Sequence, residues 1–280
     1  VEILKNKLFM IGFFDSGLGG LTVLKEVIKL LPQYSYIYLG DNARTPYGGR
    51  SQEVIYQFTI EGIKELFKRG AELVILACNT SSSVLRRIQR EFLPKNFPNK
   101  RVLGIIIPTA EEAGKFGSSK NIGILATEAT VNSLVYPKEI NKIYPEIKVY
   151  QQACPLLVPI IEAGEIKWRG LDLIVQKYLK ELFKKSKKID TVVLGCTHYP
   201  IIKNKIEKYL PSNVRVISQG KIVAEKLKDY LKRHPELKKK LSKNRKRIFL
   251  TTESSKRIKK LAKLFYDQPI KLDKISSLGC

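Results

Sequence analysis

The chain has 280 residues, 44% of them hydrophobic, and a formal net charge of +25, a length and composition that suit a globular protein of one large or two ordinary domains. No apolar run approaches the roughly 18 residues of a membrane span, and segment 8–14 lacks the flank of a cleavable signal, so a cytoplasmic chain is expected, with Val1 in place of a starting methionine ascribed to processing or trimming. Four cysteines with no C-x2-C pair make a poor disulfide framework or zinc site.

In chain order, apolar runs bounded by turn residues predict strands over 8–14, 36–39, 73–77, 101–107, 121–125, 147–151, 191–194, 215–217 and 247–250. Between them, apolar residues three and four apart predict helices over 21–31, 54–67, 171–183 and 222–231. This alternation is the pattern of an α/β fold with mainly parallel strands.

The chain also repeats itself. Ile11-Gly12-Phe13-Phe14-Asp15 resembles the strand and turn at Asn121-Ile122-Gly123-Ile124-Leu125-Ala126-Thr127, and Val74-Ile75-Leu76-Ala77-Cys78-Asn79-Thr80 resembles Val192-Val193-Leu194-Gly195-Cys196-Thr197-His198. A third echo joins Arg101-Val102-Leu103 to Arg215-Val216-Ile217. A period this long is wrong for a solenoid and suits two domains of one design. The expected division is 1–103 plus 219–280 for the first domain and 104–218 for the second, with the charged tail packing back onto the first half.

Cys78 and Cys196 stand at matching points of the repeat, each at the carboxyl end of a strand, where open α/β sheets build their sites. A helix starting there aims unpaired N–H groups at the thiol and makes it easier to ionise; the plain alternative is a buried cysteine filling space. The turn Asp15-Ser16-Gly17-Leu18-Gly19-Gly20 is neither a P-loop nor a dinucleotide fingerprint. Asp15 suits a helix N-cap, a partner for a substrate ammonium, or a proton acceptor beside a thiol. His198, two residues beyond Cys196, suits an ion pair or proton shuttle with it, or a hydrogen bond at a helix start. The loop 41–49 follows a strand and can reach the same cleft, whereas Cys154 and Cys280 are assigned to packing.

Together these segments resemble the glutamate racemase family. The resemblance is carried by Asp15-Ser16-Gly17-Leu18-Gly19-Gly20-Leu21, Tyr38-Leu39-Gly40-Asp41 with Pro46-Tyr47-Gly48, Ala77-Cys78-Asn79-Thr80 and Gly195-Cys196-Thr197-His198-Tyr199-Pro200. It implies two pseudo-symmetric α/β domains, each a mainly parallel sheet flanked by helices, with the active site in the cleft between them. The implied reaction is a two-base racemisation of glutamate, with no cofactor and no metal, supplying D-glutamate for peptidoglycan from a homodimer. By position, Cys78 and Cys196 are the proton donors and acceptors, with Asp15 assisting the first, His198 the second and Glu162 a further helper. Substrate contacts fall to Asp15, Ser16, Pro46, Tyr47, Gly48, Asn79, Thr80, Thr127, Thr197 and His198. The segment Ile217-Ser218-Gln219-Gly220 departs from the family pattern, which leads one to expect an acidic residue at about Ser218.

Two alternatives stand beside this reading. An aspartate racemase shares the fold and the cysteine pair. The positive charge, densest over 238–247, suits either a solvated lysine-rich surface or a nucleic-acid-binding or regulatory protein, although aromatic residues are not interleaved there.

Overall fold

A computed structural model describes residues 8–115, 120–276 and 278–279; Cys280 lies outside them. Two sheets organise the chain. The first contains β1 (Met10–Asp15), β2 (Tyr36–Gly40), β3 (Ala71–Leu76) and β4 (Arg101–Gly104), and the second β5 (Asn121–Ala126), β6 (Lys148–Ala153), β7 (Thr191–Gly195) and β8 (Arg215–Ile217). The tail returns to the first sheet as β9 (Arg247–Thr251) and β10 (Asp273–Lys274). Strand order is β10-β9-β2-β1-β3-β4 in one sheet and β6-β5-β7-β8 in the other, and every pairing is parallel.

The second order repeats the β2-β1-β3-β4 portion of the first once each strand is matched to its repeat. Registers agree too: Gly12 pairs with Val74 and Phe14 with Leu76, as Gly123 pairs with Val192 and Leu125 with Leu194. The likeness read from sequence is therefore a physical equivalence of strands and of alignment. Every residue of β1, β2, β3, β5 and β7 is buried, which explains why these strands read as continuous apolar runs: helices cover both faces of a parallel sheet.

Helices Leu21–Leu30, Gln52–Lys68 and Arg169–Lys185 are amphipathic and bury one apolar face each. The Ser51 hydroxyl caps the second by accepting from Val54 N at 3.4 Å. One apolar core is continuous from Ile11, Phe13 and Leu24 to Leu125, Val192 and Leu194, while separate clusters fill the outer side of each sheet. Among the described residues, no helix is long and apolar enough to cross a membrane.

The largest departure from expectation is in the fourth strand. The strand expected over 101–107 stops at Gly104, and Ile106–Ala113 is helical. The β-branched run 105–107 favours a strand locally, but Pro108 falls in the first helical turn, where a missing N–H is tolerated. The tail helix Gln219–Arg233 packs on helix Leu21–Leu30 and on Ile106–Ala113. β10 went unforeseen because it is two exposed charged residues long, with no apolar alternation to reveal it.

Candidate active site

The carboxyl ends of β1, β3, β5 and β7 meet around a cavity of about 190 Å³. Both Cys78 and Cys196 line it, each 6% exposed. Around them lie Ser16, Pro46, Tyr47, Gly48, Asn79, Thr80, Thr127, Thr197 and His198. Of the side chains singled out in the sequence, only Asp15 and Glu162 stand back from the wall.

Asp15 ends β1 and is fully buried, with Oδ2 accepting Gly17 N at 3.0 Å and Oδ1 lacking a partner among the described residues. It is not a helix N-cap: Gly20 occupies that position before Leu21. Asp15 is not among the residues that line the cavity, whereas the next residue, Ser16, is. Burial pushes its carboxyl up, outweighing the nearby His198 and the amides of Gly20 and Gly17.

Cys78 precedes the short helix Asn79–Ser82. Burial, reinforced by the Asp15 charge, pushes its thiol up to about 11, although the Ser16 hydroxyl at 3.4 Å and the Ser81 amide oppose the shift. Cys196 has a different neighbourhood. His198 Nδ1 lies 3.8 Å from its sulfur and His198 Nε2 3.0 Å from Glu162 Oε1. Burial resists charge on that imidazole, yet the bonds to Cys196 and Glu162 prevail and raise it to about 10. Glu162 is held low: burial works against its charge, but the bond to His198 prevails, and Arg257, 3.7 Å away, adds to it. The His198 ring also meets Phe265 edge-on at 4.9 Å.

This relay makes stability depend on pH. The folded imidazolium at about 10 lies above the unfolded value of ~6.5, so its contribution is complete below ~6.5 and is lost as pH rises through about 10. Melting temperatures measured from pH 7 to 10.5 should fall more steeply in the unaltered protein than in His198→Gln. Parallel curves would remove the ion pair as a source of stability.

The two halves are joined across the cavity by hydroxyls and by one loop. Thr80 Oγ1 lies 3.0 Å from Thr127 Oγ1, and Ala129 N donates to Gly48 O at 2.9 Å. Tyr47 lines the wall, but its hydroxyl already donates to Asp41, leaving its ring and backbone to face the site.

Gly19 explains much of the glycine-rich turn. A Cβ there would sit 2.6 Å from His198 Nδ1 and closer still to Thr197 Oγ1. Gly19→Ala should therefore displace the imidazole from Cys196, lower kcat by about 10²-fold, the scale of a small misplacement of catalytic groups, and lower the melting temperature, because overpacking a buried site costs ~1–3 kcal/mol. An alanine variant of full activity would show that His198 need not hold this position.

Several wall and support residues were missed in the sequence. Thr45, Val158 and Pro159 line the cavity, and Cys154, expected to serve packing alone, is both a core residue and a third sulfur in the wall. Gln219 and Tyr136 hold the Asn79 amide from behind. The departure at 217–220 was the only signal pointing toward Gln219.

Two sheets of one topology, with a thiol beyond the same strand in each, define an architecture of the Asp/Glu/Hydantoin racemase class, and a family profile of that description matches residues 20–227. A glutamate racemase from Aquifex aeolicus is 41% identical over 223 residues, 79% of this chain and 83% of that protein. Among solved structures, a glutamate racemase isoform from Bacillus anthracis superposes with a TM-score of 0.87 at 33% identity, covering 97% of this chain and 98% of that one. The Francisella tularensis glutamate racemase in complex with D-glutamate gives 0.86 at 33% identity, covering 97% and 99%. The chain belongs to the glutamate racemase family.

Proposed function

We propose that the protein interconverts L- and D-glutamate without a cofactor, by moving the α-proton between Cys78 and Cys196. The observation that carries this reading is the placement of the two cysteines at equivalent strand ends around one cavity. Inversion requires groups on opposite faces of one carbon, and a duplicated domain supplies such a pair.

In one direction a thiolate takes the α-proton, the C–H bonding pair stays on carbon and spreads into the adjacent carboxylate, and the second thiol delivers its proton to the opposite face. The enzyme is then left with the two sulfurs in exchanged protonation states, ready for the reverse enantiomer. Buried hydroxyl groups of Ser16, Thr80, Thr127 and Thr197 suit a carboxylate that gathers negative charge, and the Asn79 amide suits a contact held equally before and during the proton transfer. Pro46 and Gly48 shape the wall beside them. His198, held protonated between Cys196 and Glu162, places positive charge beside one sulfur, and Asp15 places a carboxyl behind the other.

Within this reading the product supplies D-glutamate for peptidoglycan in the cytoplasm, and the working form is a homodimer. Exposed Trp168 and Leu173 offer apolar surface for a second copy, and sedimentation measures that association. Loss of circular dichroism from L-glutamate and from D-glutamate, in separate reactions with no added cofactor, tests the activity. Faster turnover of aspartate, or none of glutamate, would overturn it.

A further inference from the structure

We propose that Gln219 is a positioning residue that sets the direction of the Asn79 amide, so that Asn79 offers the cavity an N–H donor and not a carbonyl. The proposal rests on the reading of Asn79 as a substrate contact. Gln219 begins the helix Gln219–Arg233, where the chain returns from the second sheet, and it is 3% exposed. It lies behind the cavity wall, touching neither thiol.

The direction follows from counting donors and acceptors. Thr109 Oγ1 gives its only proton to Ile105 O at 2.6 Å, so toward Gln219, 3.0 Å away, it accepts. The atom facing it must be Nε2. That turns Oε1 of Gln219 toward Asn79, whose Nδ2 donates to it at 2.6 Å. With one Nε2 hydrogen committed to Thr109, the other is shared between Asn79 Oδ1 at 3.1 Å and the Tyr136 oxygen at 2.9 Å, and Asn79 Oδ1 also receives the Tyr136 hydroxyl at 2.7 Å. Burial keeps the Tyr136 phenol protonated and thus a donor. Both lone pairs of Asn79 Oδ1 are occupied and one Nδ2 hydrogen is engaged. What remains to the amide is a single N–H, on a residue that lines the cavity.

The same network reaches across the molecule. Asn79 follows β3 in the first half, whereas Thr109 and Tyr136 come from helices Ile106–Ala113 and Val135–Ile143 beside the second sheet. A glutamine spans this gap with one acceptor and two donors. A methionine has the length and none of the hydrogen bonds.

Gln219→Met should raise KM for both enantiomers about tenfold, the scale of one misdirected buried hydrogen bond, with kcat within about threefold, the split expected when ground-state and transition-state binding weaken together. Asn79→Ala should do the same, and the double variant no more. Gln219→Glu supplies a readout that packing alone does not move: the protonated acid retains one donor, so its KM should climb as the carboxyl ionises, a step absent from the unaltered protein. If the methionine variant fails to fold, this pH dependence carries the test. A Gln219→Met KM equal to that of the unaltered protein, additive effects with Asn79→Ala, or a pH-independent KM in folded Gln219→Glu overturns the assignment. Unaltered protein that does not racemise glutamate overturns the functional reading instead.

Discussion

Replacing Cys78 or Cys196 by serine should lower kcat by about 10³-fold or more, within the range that positioned acid–base groups contribute. A serine hydroxyl keeps the size and loses the ionisable sulfur, and neither site has a base arranged to activate an alcohol by itself. Cys78→Ser and Cys196→Ser should nonetheless differ in one respect. Each retains a single thiol on one face of the substrate, so each should exchange the α-hydrogen of one enantiomer with deuterated water without inverting it, and the two variants should choose opposite enantiomers. Proton magnetic resonance of the recovered glutamate measures this. Exchange of the same enantiomer by both variants, or substantial racemisation by either, would sink the assignment of the sulfurs to opposite faces.

The second large effect has two signs. Asp15→Asn should lower kcat by about 10²-fold and raise the melting temperature. The carboxyl is fully buried with one oxygen unpartnered among the described residues, and its raised pKa means that the folded state binds the proton more tightly than the unfolded chain. Stability is therefore lost as pH rises from the unfolded value of ~3.9 through the raised folded value, and a neutral side chain avoids that loss. An asparagine oxygen still accepts from Gly17, while its NH2 brings two buried donors, each costing ~1–3 kcal/mol where unsatisfied; relief of the buried charge should exceed this. Each net kcal/mol corresponds to roughly 2–4 °C in a chain of this order. Activity falls because the Asp15 charge helps to make Cys78 a stronger base, so the limb of the kcat/KM profile belonging to Cys78 should move to lower pH. A lower melting temperature together with full activity would refute both halves of this account.

Much of this arrangement is legible in the sequence. Strands buried on both faces announce themselves as apolar runs, and cysteines that follow two such runs at matching points could be paired without knowing where either lay. The glycine turn stands out in the sequence, though only the structure shows that Gly19 is small because Thr197 and His198 occupy the space beside it. What sequence could not convey was which side of the wall a polar residue takes. Asp15 and Ser16 are neighbours, yet only Ser16 lines the cavity. Gln219 was obscured for another reason: its partners Asn79, Thr109 and Tyr136 come from separate helices, so no local spacing reveals them. The early end of β4 shows the same limit, with Ile105, Ile106 and Ile107 favouring a strand that tertiary packing turns into a helix.

The repeat is faithful in its strands and unfaithful at their ends: β1 leads into Asp15 and Ser16, whereas β5 leads into Ala126 and Thr127, and only the Cys196 side carries His198 and Glu162. Enantiomers have equal free energies in water, so the reaction catalysed has an equilibrium constant of unity. The Haldane relation then obliges kcat/KM to be the same in both directions, however dissimilar the two thiols are. An uneven pair of bases can make one enantiomer bind tighter and turn over more slowly, but it cannot bias the final mixture; the asymmetry built around a carboxylate on one side and an imidazolium on the other governs how the cell's supply is throttled, and never where it comes to rest.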